Sequence, residues 1–110
     1  MFAKQIENGL NLADISKNTE AIYDTSLLPG ENIPLHFHPD FEEIYYILSG
    51  YGVITIGDEK QEISRSDVVY IPPLAPHTLL NTGNVPLRFV TISVKVSSPT
   101  MNHDVQPYIR

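Results

Sequence analysis

Cysteine is absent from this chain, which excludes disulfide bonds, thiolate nucleophiles and cysteine-ligated zinc. Basic residues are scarce: seven Lys plus Arg stand against thirteen Asp plus Glu, for a formal net charge of -6. Those seven (Lys4, Lys17, Lys60, Arg65, Arg88, Lys95 and Arg110) are scattered and form no stripe. Nothing is therefore available to neutralise a row of phosphates, and neither nucleic acid nor an anionic membrane surface is expected as a partner. No apolar run approaches the length of a membrane span. Residues 1–17 carry acids and amides where a signal peptide needs a continuous apolar region. The expectation is a cytoplasmic protein. A Gly-x-Ser-x-Gly nucleophile elbow and a Gly-rich phosphate loop are missing as well.

What is present reads as β structure. The 110 residues are one domain's worth, and the expected organisation is a single domain over residues 1–110. Its strand-bearing body runs from about 20 to 96, with an N-terminal arm at 1–19 and a tail at 97–110. Nine prolines and six glycines favour many short elements joined by turns. Strands are expected at 21–28, ending at Pro29-Gly30, and at 33–38, ending at Pro39-Asp40. Further strands are expected at 41–48, at 51–56 before the turn dipeptide Gly57-Asp58, and at 61–63. The runs 67–71, 77–81 and 87–96 complete the set, with one more edge strand possible near Tyr108. Residues 9–15 read equally well as a short strand or a helical turn. Strands at such even spacing, with no helical periodicity, predict an all-β sandwich or barrel.

The chemistry concentrates on histidine. His36 and His38 stand two apart, so on an extended chain they point to one face, roughly 7 Å apart along it. Two imidazoles there can converge on one ion. A carboxylate from Glu42 or Glu43 opens the following strand, and His77 begins a later one. Three neutral imidazoles and one carboxylate suit Fe, Mn, Ni, Co or Zn, and in a six-coordinate ion they leave about two positions open. The plainer readings are a polar solvent face for His36 and His38, and a hydrogen-bonded core histidine for His77.

The spacing from Gly30 through five residues to His36-Phe37-His38, four residues to Glu43 and six residues to Gly50 resembles the first motif of the cupin superfamily. The second cupin motif is matched by Pro72, His77 and Asn81, while Ser66 and Leu74 stand where that motif has turn glycines. The resemblance covers about residues 20–96. It implies a jelly-roll β-barrel (a double-stranded β-helix) with one divalent transition metal ion held by His36, His38, Glu43 and His77. It commonly goes with a homodimer. The six-residue gap to Gly50 selects Glu43 over Glu42, whose plainer role is a solvated surface charge.

Around this set, Tyr45 shares a face with Glu43 and is the candidate catalytic or orienting group. Its plainer role is barrel lining. Ile47, Leu79, Asn81 and Phe89 are candidates for the substrate pocket, although Asn81 is better suited to bracing a loop. Arg88 could hold a carboxylate or phosphate, but a surface position suits an arginine better. His103 in the tail has no partner at ligand spacing. The expected function is a metal-dependent cupin acting on a small oxygen-rich metabolite, of dioxygenase, isomerase or lyase type. The alternatives are a non-catalytic, metal-containing module that captures a sugar or other small metabolite, and a metal-free structural relic.

Overall fold

The computed structural model describes residues 8–96 and the backbone of 108–109. The described part contains nine strands: β1 (Gly9–Asn11), β2 (Thr19–Leu27), β3 (Phe41–Ser49), β4 (Tyr51–Ile56), β5 (Glu59–Ser64), β6 (Val68–Ile71), β7 (His77–Asn81), β8 (Leu87–Lys95) and β9 (Tyr108–Ile109). They form two antiparallel sheets. The larger has the order β1-β2-β8-β3-β6-β9 and the smaller β5-β4-β7. No helix among the described residues is long and apolar enough to cross a membrane. The expected all-β jelly roll is the observed fold.

Alternation along the strands builds the interior. Glu43, Tyr45 and Ile47 of β3 point inward while Tyr46 points out, as the two-residue period of a strand requires. On β8, Leu87, Phe89, Thr91 and Ser93 are buried in the same alternation. The β3–β8 register sets Glu43 against Ser93, Tyr45 against Thr91 and Ile47 against Phe89. The smaller sheet supplies Ile54, Ile56, Ile63 and Leu79 to the same cluster. Burying each such side chain contributes about 1.5–3 kcal/mol. At the outer edge of this sheet β5 is short and carries exposed Glu59, Lys60 and Glu62, charges that discourage pairing with another chain.

The segment expected to be a strand at 33–38 is not a regular one. It runs antiparallel to β7 but is joined to it by two isolated bridges, Asn32 to Leu80 and His36 to His77. Between them this segment advances four residues while β7 retreats three. Pro34 lies inside that slip, and a proline has no N–H to give to a ladder. Residues 9–11, left open between strand and turn, form β1, which pairs with β2.

The two motif positions that lack glycine keep the glycine conformation. Ser66 has φ 75° and Leu74 has φ 70°, the left-handed region that L-residues populate at a cost. Gly50, which the first motif does match, has φ 92°, and a Cβ there would lie 2.6 Å from the Pro86 carbonyl oxygen.

Candidate metal centre

The four motif residues converge at one end of the sandwich. One ligand atom from each of His36, His38, Glu43 and His77 lies within 4.8 Å of the others. Two of them, His36 and His77, belong to the layer of the smaller sheet, and His38 lies in the connection that leads to β3. His77 opens β7, and His36 is locked to it by a bridge in which each backbone N–H donates to the other's carbonyl. That bridge brings the two rings to 4.2 Å between centroids. His38 follows two residues later, its backbone carbonyl accepting from the Leu74 N–H at 2.9 Å. Its ring stacks on Phe41 at 4.7 Å. Glu43 comes from the opposite layer, on β3, with Oε1 3.5 Å from His38 Nε2 and 3.2 Å from His77 Nε2.

Hydrogen bonds fix which face of each ring is available. His36 Nδ1 lies 2.7 Å from the Pro34 carbonyl oxygen, and His77 Nδ1 lies 2.9 Å from that of Ala75. A carbonyl only accepts, so in each neutral ring Nδ1 carries the hydrogen and Nε2 presents a bare lone pair. The close approach of His77 Nε2 to Glu43 Oε1 is therefore a meeting of two acceptors rather than a hydrogen bond. Both atoms are buried and neither has a hydrogen-bond partner. Orphaned buried acceptors are costly, and a cation between them removes the cost. The donor set fits a transition metal by this test.

The charges of the cluster act on one another. Burial pushes the Glu43 carboxyl up; when the imidazoles around it are protonated, a hydrogen bond from the His77 ring and the charges of the three rings outweigh burial and hold the group below the usual range. Burial lowers His38, and the other two imidazoles add to that against the pull of Glu43. The His38 shift favours the neutral imidazole that binds a metal.

Tyr45 lies one inward step from Glu43, almost fully buried, with its ring edge-on to His77 at 6.2 Å. Burial, and then the Glu43 charge, push its phenol far up, which makes it a poor source of protons. Ile47, Leu79 and Phe89 are buried behind it. Asn81 sits at the far end of β7 from His77. Its Nδ2 donates to the carbonyls of Leu27 and Val85, and its Oδ1 accepts from the Gly83 N–H. With its amide committed to loop backbone, Asn81 braces turns and does not line the metal end.

Arg88 points outward and makes a two-pronged ion pair with Asp24. Glu42 faces away from the cluster, as alternation demands, but it is not simply solvated. It accepts the Tyr70 hydroxyl at 2.7 Å. Burial and this bond push the Tyr70 phenol up to about 12. His103 lies outside the described residues. Two residues at the centre carry no signal in the motif: Phe41, which stacks on His38, and Ser93, whose hydroxyl is 3.3 Å from Glu43 Oε2. Ser93 is placed there by the inward alternation of β8 together with its register against β3.

Comparison with known proteins supports this geometry. The chain is 42% identical over 81 residues to an uncharacterized protein of Methanocaldococcus jannaschii, covering 73% of this chain and 65% of that one. It is 37% identical over 68 residues to an oxalate-binding protein of Thermotoga maritima, covering 62% of this chain and 56% of that one. The chain thus spans between about half and two thirds of the length of these curated relatives. Among solved structures, a predicted oxalate decarboxylase from Thermotoga maritima superposes with a TM-score of 0.75 at 30% identity, covering 79% of this chain and 76% of that one. A cupin domain model matches residues 23–93, the stretch that holds all four clustered side chains, and the chain belongs to the cupin family.

Proposed function

We propose that the chain is a metal-dependent cupin enzyme acting on a small, oxygen-rich metabolite. The observation that carries this reading is the buried pair of unpartnered acceptors, Glu43 Oε1 and His77 Nε2. His36, His38 and His77 would offer imidazole nitrogens to one divalent transition ion (Fe, Mn, Ni, Co or Zn), and Glu43 its one carboxylate. When bound, the ion would supply Lewis acidity to a substrate with two oxygen donors, or a site for oxygen chemistry if it is iron. The chain's own residues then have separable tasks. The carbonyls of Pro34 and Ala75 hold two rings in the metal-binding tautomer. Tyr45 orients substrate by donating a hydrogen bond. Ile47, Leu79 and Phe89 keep water from the inner wall.

The reading extends to a cytoplasmic protein with one domain over residues 1–110, working as a homodimer. Dimerisation is supported by the outer face of the larger sheet, where Ile22, Ile92 and Ile44 stand side by side across β2, β8 and β3. A second reading, a metal-containing module that captures a sugar or other small metabolite without turning it over, is favoured by the likeness to an oxalate-binding protein.

The test is elemental mass spectrometry on untagged protein purified anaerobically, with His38→Ala beside it and a metabolite turnover screen on the loaded form. About one transition metal per chain, lost in the variant, with turnover of a chelating substrate, is the expected result. Metal and tight binding without turnover would favour the second reading. A chain that stays empty after reconstitution with each candidate ion would overturn both.

A further inference from the structure

Within the larger sheet, the inward positions at the level of the centre form a row across four strands. Ala21 of β2 pairs with Ser93 of β8, Ser93 with Glu43 of β3, and Glu43 with Ile71 of β6. All four are buried. The ends of the row are a methyl group and a sec-butyl group, so within the row Ser93 is the side chain that can donate to Glu43. Its Oγ lies 3.3 Å from Glu43 Oε2, while Oε1 is the oxygen turned toward the imidazoles. A serine here is otherwise out of place. β8 reads Leu-Arg-Phe-Val-Thr-Ile-Ser-Val-Lys, a run of good strand formers in which Ser93, 3% exposed, adds little packing and a hydroxyl that is costly to bury alone.

We propose that Ser93 is a positioning residue of the metal centre, holding Glu43 Oε2 so that the carboxylate presents Oε1 alone. The inference rests on the metal reading given above. Hydrogen bonds to a carboxylate are among the stronger ones, and their value here is directional. A planar carboxylate tied at one oxygen is hindered from turning about its terminal bond, so it would offer an ion Oε1 rather than both oxygens and would leave one more coordination position for a ligand. Residues that hold a metal ligand in this way change metal affinity about 10–100-fold when lost.

The experiment titrates Co2+ into the metal-free full chain by calorimetry and records the visible absorption of the Co2+ form. It compares wild type, Ser93→Ala, Ser93→Thr and Ser93→Val, with Thr91→Ala as a control for packing at the neighbouring inward position. Melting curves of each metal-free protein run alongside. Ser93→Ala is expected to bind about 10–100-fold more weakly, with an altered absorption band as the carboxylate opens to bind through both oxygens. Ser93→Thr restores both, and Thr91→Ala changes neither. The Thr and Val variants share one shape and differ in the hydroxyl, so they decide the matter if Ser93→Ala does not fold. Equal affinity and equal spectra in wild type and Ser93→Ala, or in the Thr and Val pair, would overturn the role of Ser93 and leave the metal reading standing. A wild type that binds no Co2+, nor Mn2+ or Fe2+ in its place, would overturn both.

Discussion

His36 and His77 exchange backbone hydrogen bonds, His36 N–H to His77 O at 3.2 Å and His77 N–H to His36 O at 2.9 Å. Two candidate ligands far apart in sequence are thus fixed relative to each other by main chain alone. The slip around Pro34 sets the phase of that pairing. It is why a segment without a regular ladder still delivers His36 opposite His77 and His38 beside Glu43.

The unpartnered acceptors give the first prediction. At pH 8, where imidazoles are largely neutral, Glu43→Gln should stabilise the metal-free protein, because a glutamine amide can donate to His77 Nε2. The gain should be about 1 kcal/mol, read as a rise of several degrees in the melting temperature under chelator. The same variant should lose metal affinity by more than the roughly 100-fold that removal of an outer partner can cost. A lower metal-free melting temperature would mean that Glu43 and His77 form a charged pair instead.

Ser66 gives the second. It is exposed, and its φ of 75° costs an L-residue about 1–2 kcal/mol. Glycine removes that strain but returns part of it through the entropy of the unfolded chain. Ser66→Gly should therefore raise stability by about 0.5–1 kcal/mol in urea denaturation, with metal affinity unchanged. No gain, or a loss, would show that the turn from Ser64 to Asp67 carries no strain at Ser66.

The third concerns pH. The hydrogen bonds from Arg88 hold the Asp24 carboxyl below its ordinary value. A depressed carboxyl adds stability above the unfolded-state value, about 3.9, and loses it as pH falls through the folded-state value. Wild type should thus melt above Arg88→Gln at pH 6, and the gap should close below about pH 4. It should also shrink in high salt, because the pair is exposed. A gap that stays constant from pH 6 to pH 3 would assign the effect to packing of the arginine stem.

Much of the fold and most of the site could be read from the sequence because they are written in local periods. β4 and β7 begin and end where alternation and turn residues put them. The offsets from His36 and His38 to Glu43 and Gly50 reflect the tight turn at Gly50 and the short connection into β3. Alternation also separates Glu43 from Glu42, and the structure turns the first inward and the second to Tyr70. Ser93 and Phe41 were not legible. Ser93 meets Glu43 only through the β3–β8 register, which no local pattern encodes. Phe41 reads as one more strand aromatic until His38 is seen to lie on it. Asn81 was half legible: its motif position marked it, but only the placement of Leu27 and Val85 shows where its amide is used.

The candidate donors come from both layers of the sandwich, His36 and His77 from the smaller sheet's side and Glu43 from the larger sheet, with His38 on the connection into β3. An ion gripped by both would act as a rivet at the open end. Separating the sheets would then require releasing it, so its affinity and the protein's resistance to unfolding would become one quantity measured in two ways. The excess of ion over its dissociation constant would set how much harder the sandwich is to open. Serial chelation would be felt as a loosening of the whole molecule, starting at that end.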